Sequence, residues 1–155
     1  MIEMERGSEH PDLVPALENL AHLYQARLRF DNAESLCERA LAIRETAFGA
    51  DHPETARSIE ALANLYHSQN RRLAARLFHE RALEIRERSL GSEHSETAAS
   101  LACLGDLCAA AGNYAEAEAN YSRALAICLK SLGPVHPRTI RLRFTYDNLL
   151  VRTGR

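Results

Sequence analysis

Apolar positions along the chain recur at spacings of three and four, the period of a helix with one buried face. Leu17, Leu20, Ala21 and Tyr24 make one such face; Ala33, Leu36, Cys37, Ala40, Leu41 and Ile43 make the next. Arg27-Leu28-Arg29-Phe30 lies between them as a short turn, matched later by Gln69-Asn70-Arg71-Arg72 and Ala111-Gly112-Asn113-Tyr114. Gly112-Asn113 suits a helix stop with one left-handed residue. The pattern predicts helices in pairs.

The pairs repeat. Gly-x-x-His occurs at Gly7/His10, Gly49/His52, Gly91/His94 and Gly133/His136, always 42 residues apart. Pro11, Pro53 and Pro137 follow three of these histidines, where a first helical turn loses nothing from a missing N–H; Ser95 follows the fourth. Leu20, Leu62 and Leu104 share the period, as do Ala33, Ala75 and Ala117, then Ala40, Ala82 and Ala124, and Ile43, Ile85 and Ile127. Three repeats run 7–48, 49–90 and 91–132, and a half repeat runs 133–155. Residues 1–6 align with the last turn of a second helix, as a stub of a preceding helix or a frayed N-terminus.

Small residues in fixed columns (Ala21, Ala63 and Gly105 on first helices, the alanines above on second helices) let backbones approach closely while larger side chains fill the grooves. One helix pair cannot bury both its faces, so the expected fold is all-α, a solenoid of three helix pairs and a C-terminal helix. In that last helix Arg143 replaces Leu17, Ile59 and Leu101, and Asp147 replaces Ala21, Ala63 and Gly105. Such polar substitution reads as a solvated capping helix.

The columns Leu-x-x-Leu-Ala-x-Leu-Tyr at Leu17–Tyr24, and Ile59–Tyr66 with Ile in the first place, resemble the tetratricopeptide repeat family. The 42-residue period exceeds that family's common one of about 34. With Gly-x-x-His-Pro and Glu-Arg-Ala-Leu-x-Ile-Arg-Glu (Glu38–Glu45 and Glu80–Glu87) it is similar to the kinesin light chain type. The resemblance implies a right-handed solenoid whose concave face is lined by the first helices. It implies a protein-binding role and carries no inference about motor transport.

Composition narrows the classes further. The 155 residues carry a formal charge of -2, with no global basic field for nucleic acid. The apolar runs are far shorter than the about 18 residues a membrane span needs. The first ten residues, MIEMERGSEH, hold charges where a secretory signal needs an apolar stretch, so a cytoplasmic location and reduced thiols are expected. Cys37, Cys103, Cys108 and Cys128 form no Cys-x-x-Cys pair.

Candidate chemistry is sparse. His10, His52, His94 and His136 recur once per repeat, too far apart to share a metal ion, and are expected to hydrogen-bond at helix starts. His79 stands where Cys37 and Tyr121 stand, a packing position. No nucleophile–base pair, phosphate loop, metal cluster or cofactor motif emerges, so no enzymatic role is expected.

The resemblance instead points to the concave face. Its columns supply Glu18, Asn19, His22 and Gln25 in repeat 1 and Arg57, Glu60, Asn64 and His67 in repeat 2. Asp106 follows in repeat 3, among small Ala99, Ala102, Cys103, Ala109 and Ala110, and Arg141, Phe144, Asn148 and Arg152 come from the last helix. An Asn amide donates to a peptide carbonyl and accepts from its N–H, so Asn19, Asn64 and Asn148 suit an extended ligand backbone. Small Ala99, Ala102, Ala109 and Ala110 suggest either a pocket for a bulky ligand side chain or tight curvature. Lys130, Arg138, Arg141, Arg143, Arg152 and Arg155 against Asp147 give the last stretch five excess positive charges, which steer an acidic partner there. The leading expectation is a non-enzymatic adaptor binding a peptide segment, acidic in character, in this groove. The alternative is a structural module that self-associates through solenoid ends or outer faces.

Overall fold

A computed structural model describes residues 10–154. The stub assigned to residues 1–6, the first Gly of the repeat and Arg155 lie outside the described residues. Among the described residues there are seven α-helices and no strand. A 3-10 turn, Pro11–Leu13, leads into α1, Val14–Ala26. Then come α2 (Phe30–Phe48), α3 (Pro53–Ser68), α4 (Arg72–Leu90), α5 (Ser95–Ala110), α6 (Tyr114–Ser131) and α7 (Pro137–Arg152). The expected turns all fall between helices. Gly112 is left-handed at φ 85, and Leu28 and Asn70 take the same role in the two earlier turns at φ 59 and 62.

The junctions between repeats follow the expected grammar. Gly49, Gly91 and Gly133 stop second helices at φ 93, 97 and 86. His10, His52, His94 and His136 then cap the first helices, each Nδ1 accepting from the backbone N–H two residues on, at 3.0–3.2 Å. This uses the imidazole Nδ1 as an N-cap acceptor, a role usually held by Ser, Thr, Asp or Asn. A threonine column adds a second tie. Thr55 and Thr97, both fully buried, donate to the carbonyls of Gly49 and Gly91 at 2.7 and 2.8 Å.

The chain divides into two compact bodies, Met1–Ile85 and Arg86–Arg155. In the first, α1 packs on α2 and α2 on α3. Leu13, Val14 and Leu17 meet Ala40 and Ile43, with Leu36 beside them. Farther on, Ala56 and Ile59 meet Ala82 and Ile85, flanked by Leu41 and Phe78. Leu20 departs from the expected apolar face: it is 41% exposed, whereas Leu62 and Leu104 in the same column are 1% and 5% exposed. A neighbouring second helix must cover that column, and among the described residues no helix precedes α1 apart from its own leading turn.

In the second body α5 packs on α6 and α6 on α7. The small-residue columns are sealed: Ala33, Ala75, Ala117, Ala40, Ala82 and Ala124 are all fully buried. Gly105 is closely enclosed. A Cβ built there would lie 2.7 Å from Cε1 of Tyr121. Tyr121 occupies the column of Cys37 and His79, so the large ring on α6 is matched by the smallest residue on α5. His79 is buried, as its packing column requires. On α7 Arg143 and Asp147 are exposed.

Candidate interaction surface on the first helices

The expected ligand-facing residues are all exposed or half-exposed, while the positions between them form the core. In the N-terminal body, α1 and α3 border a shallow depression of about 490 Å³. His22, Gln25 and Asn64 line it, with Ala61, Phe30 and Ser68. Gln25 donates its amide to the Ser68 hydroxyl at 2.7 Å. Asn19, Glu60 and His67 lie outside that depression, and Arg57 pairs with Glu54 one turn away at 3.3 Å.

Glu18 has a structural task. Its carboxylate accepts from Nη1 of Arg44 at 2.7 Å. Arg44 is 8% exposed and also donates to the Ser58 hydroxyl at 2.9 Å, with Glu54 3.7 Å away. Arg86, 2% exposed, repeats the arrangement: it donates to Ser100 at 2.6 Å and faces Glu96 at 3.5 Å. A buried guanidinium thus fastens the end of a second helix to the first helix of the next repeat. Charge-assisted hydrogen bonds of this kind contribute about 1.5–3 kcal/mol when the geometry is satisfied.

The last junction lacks this network. The arginine column continues as Cys128, the Glu54/Glu96 column as Arg138, the Ser58/Ser100 column as Leu142 and the Glu18 column as Ala102. A cleft of about 240 Å³ lies among these four residues. Ala98, Ala99, Cys103, Asp106, Tyr121, Arg141 and Thr145 complete its lining, with Ser95. Small Ala99 and Ala102 of repeat 3 border this cleft. Tyr121 donates its hydroxyl to Asp106, and burial together with that bond raises the phenol's pKa. Burial also raises the Cys128 thiol, against an opposing pull from Arg138. A second hollow holds Phe144, Asn148 and Arg152 with Ala109 and Leu149.

The basic stretch is partly neutralised from α5 and the loop before it. Lys130 lies 3.8 Å from Glu93 and Arg138 3.7 Å from Glu96. Among the described residues Arg141 has no such acidic neighbour. Arg138, Cys128 and Leu142 are not among the sequence candidates for the ligand-facing surface; comparing the four columns across repeats would have singled them out.

Among the described residues no helix is long and apolar enough to cross a membrane, and no group of His, Cys, Asp or Glu is arranged to hold a metal ion. A tetratricopeptide repeat family model matches residues 12–88, 75–129 and 96–155. A search of curated proteins finds no match. Among solved structures, a Podosopora anserina kinesin light chain protein of nearly identical TPR-like repeats superposes with TM-score 0.81 at 26% identity, covering 94% of this chain and 69% of that one. A point variant of the same Podosopora anserina protein gives the same score and identity, with 68% of that chain covered. BtubC (BKLC) from P. vanneervenii gives TM-score 0.80 at 25% identity, covering 93% of this chain and 58% of that one. Tetratricopeptide repeats are in general protein–protein interaction modules, and such scaffolds are typically non-enzymatic. With helix pairs, turn grammar and family model in agreement, the chain belongs to the tetratricopeptide repeat family, in its kinesin light chain-like form.

Proposed function

We infer that this protein is an adaptor that binds an extended, acidic peptide segment on the faces presented by its first helices. The observation that carries this reading is the state of three asparagines. Asn19, Asn64 and Asn148 are exposed on α1, α3 and α7, and among the described residues no internal hydrogen bond claims their side-chain amides. An amide in that state is equipped to hold a peptide backbone at both donor and acceptor. Exposed Arg57, Arg141 and Arg152 supply charge for acidic side chains. The test is peptide display on the purified chain, counter-screened with Asn64→Ala. A convergent acidic motif that weakens in the variant, with helical circular dichroism unchanged, supports the adaptor. Enrichment indifferent to Asn64→Ala contradicts it.

A second reading rests on α7. Ile140, Phe144 and Val151 recur there at helical spacing and are 54%, 68% and 79% exposed. Self-association through this helix would be weakened by Arg143→Glu in sedimentation velocity and left unchanged by Asn64→Ala. A monomer at high concentration contradicts it.

A further inference from the structure

We propose that the uncovered face of α1 is a dimerisation surface, across which a second copy of this chain lays its own α1 antiparallel about a two-fold axis. The inference goes beyond the adaptor reading and uses neither the ligand-facing columns nor α7. One stripe carries it. Asp12, Ala16, Leu20, Leu23 and Arg27 follow one another at spacings of three and four, and all are exposed. The three middle columns are buried in the later repeats, as Ser58, Leu62 and Leu65 and as Ser100, Leu104 and Leu107. Ser58 receives Arg44 from α2, so in repeat 2 this stripe faces the preceding second helix. Leu20 and Leu23, the latter 62% exposed, lack the cover that their counterparts have.

The departures from those repeats select the occupant. Ala16 stands in the column of Ser58 and Ser100, the serines that receive Arg44 and Arg86. A second helix with such an arginine would bury its guanidinium against α1 with no hydroxyl to receive it. At the other end Arg27 stands in the column of Gln69, Ala111 and Thr153, so a cation closes this stripe and none of its counterparts. The acidic start is kept, with Asp12 in the column of Glu54 and Glu96. The stripe of repeat 1 therefore runs acidic, small, large, large, basic.

That order is complementary to its own reverse. An antiparallel copy whose axis passes beside Leu20 sets Asp12 against the partner's Arg27 and Ala16 against the partner's Leu23, while the two Leu20 side chains meet at the centre. Small then faces large, and each end closes on an opposite charge. Ion pairs between exposed groups add little affinity, but they fix direction, since a parallel copy would oppose like charges. The leucines of both copies supply the apolar burial.

The experiment is sedimentation velocity on the intact chain over a concentration series from micromolar to millimolar. Three variants accompany it, each checked by circular dichroism: Leu20→Glu/Leu23→Glu, Asp12→Arg, and the reversal Asp12→Arg/Arg27→Asp. The parent chain is expected to form a dimer that Leu20→Glu/Leu23→Glu abolishes. Asp12→Arg should weaken the dimer about tenfold, and the double reversal should regain that loss. Arg143→Glu and Asn64→Ala should leave the dimer intact, which separates it from association through α7 and from peptide binding. A monomer throughout, a dimer indifferent to Leu20→Glu/Leu23→Glu, or growth beyond the dimer overturns the proposal and leaves the adaptor reading standing. A double reversal that regains nothing overturns the antiparallel pairing.

Discussion

The α2–α3 and α6–α7 junctions share backbone grammar and differ in what fills them. Each has a left-handed glycine, a histidine N-cap and a buried threonine. At α2–α3 the space between helices is taken by Arg44, bound to Glu18 and Ser58. At α6–α7 the same columns give Cys128, Ala102 and Leu142, and a recess remains. The backbone of a repeat is therefore set by its turns and small-residue columns, which both junctions keep. The buried ion network is a separate layer that one junction can lose without losing the helix that follows. Losing it exchanges fastening for a cavity.

The largest expected effect comes from removing the network where it exists. Arg86→Ala empties a fully buried position, leaves Ser100 without its guanidinium and leaves Glu96 with Arg138 alone, at a cost of about 2–3 kcal/mol. Cys128→Ala at the equivalent position should cost about 1 kcal/mol. Urea denaturation of the two variants checks the difference, and equal losses would erase the contrast between junctions.

Next is the contact of Gly105 with Tyr121. Gly105→Ala forces a Cβ against the ring and should cost about 1–3 kcal/mol as overpacking. In a Tyr121→Cys background, which restores the residue of repeat 1, the penalty should shrink. A double-mutant cycle reads that coupling.

The caps should behave alike at both junctions. His52→Ala and His136→Ala each remove one N-cap acceptor, worth about 1 kcal/mol apiece by thermal unfolding. A larger loss for His52→Ala would measure its added stacking on Phe48, 4.8 Å between ring centroids.

The smallest effect separates two buried thiols. Burial and the negative charges of Glu18, Glu34 and Glu38 push Cys37 from 9.0 to about 11, while Arg138 opposes the upward shift of Cys128. A pKa raised on folding favours the neutral thiol. The stabilisation Cys37 confers is therefore full below pH 9 and lost as pH rises toward 11. Native-state alkylation followed by mass spectrometry as pH is raised should modify Cys128 before Cys37.

The helices, turns and caps are legible in the sequence because they are local. A period of three and four, a glycine after it and a histidine before proline need no knowledge of distant residues. The histidine ladder is the clearest instance: one repeat's spacing already implies capping. Arg44 and Arg86 are not legible in the same way. An arginine near a helix end reads as solvated, and only partners on other helices make burial tolerable. Glu18 reads as ligand-facing for the same reason, since its column says where it points but not that Arg44 holds it. Leu20 shows the converse failure, because a column's burial depends on the neighbour it packs against. The recess is half legible. Its alanines are visible as a small apolar patch, but its cause, a coordinated change at positions 102, 128, 138 and 142, emerges only once the buried network of the other junctions is known.

The most direct measurement rebuilds that network in a single variant, Ala102→Glu/Cys128→Arg/Arg138→Glu/Leu142→Ser, and compares it with the parent chain by hydrogen exchange. A folded variant with stronger amide protection across α7 than the parent is expected. A variant that folds with the network restored and gains no protection across α7 would contradict the exchange of fastening for a cavity.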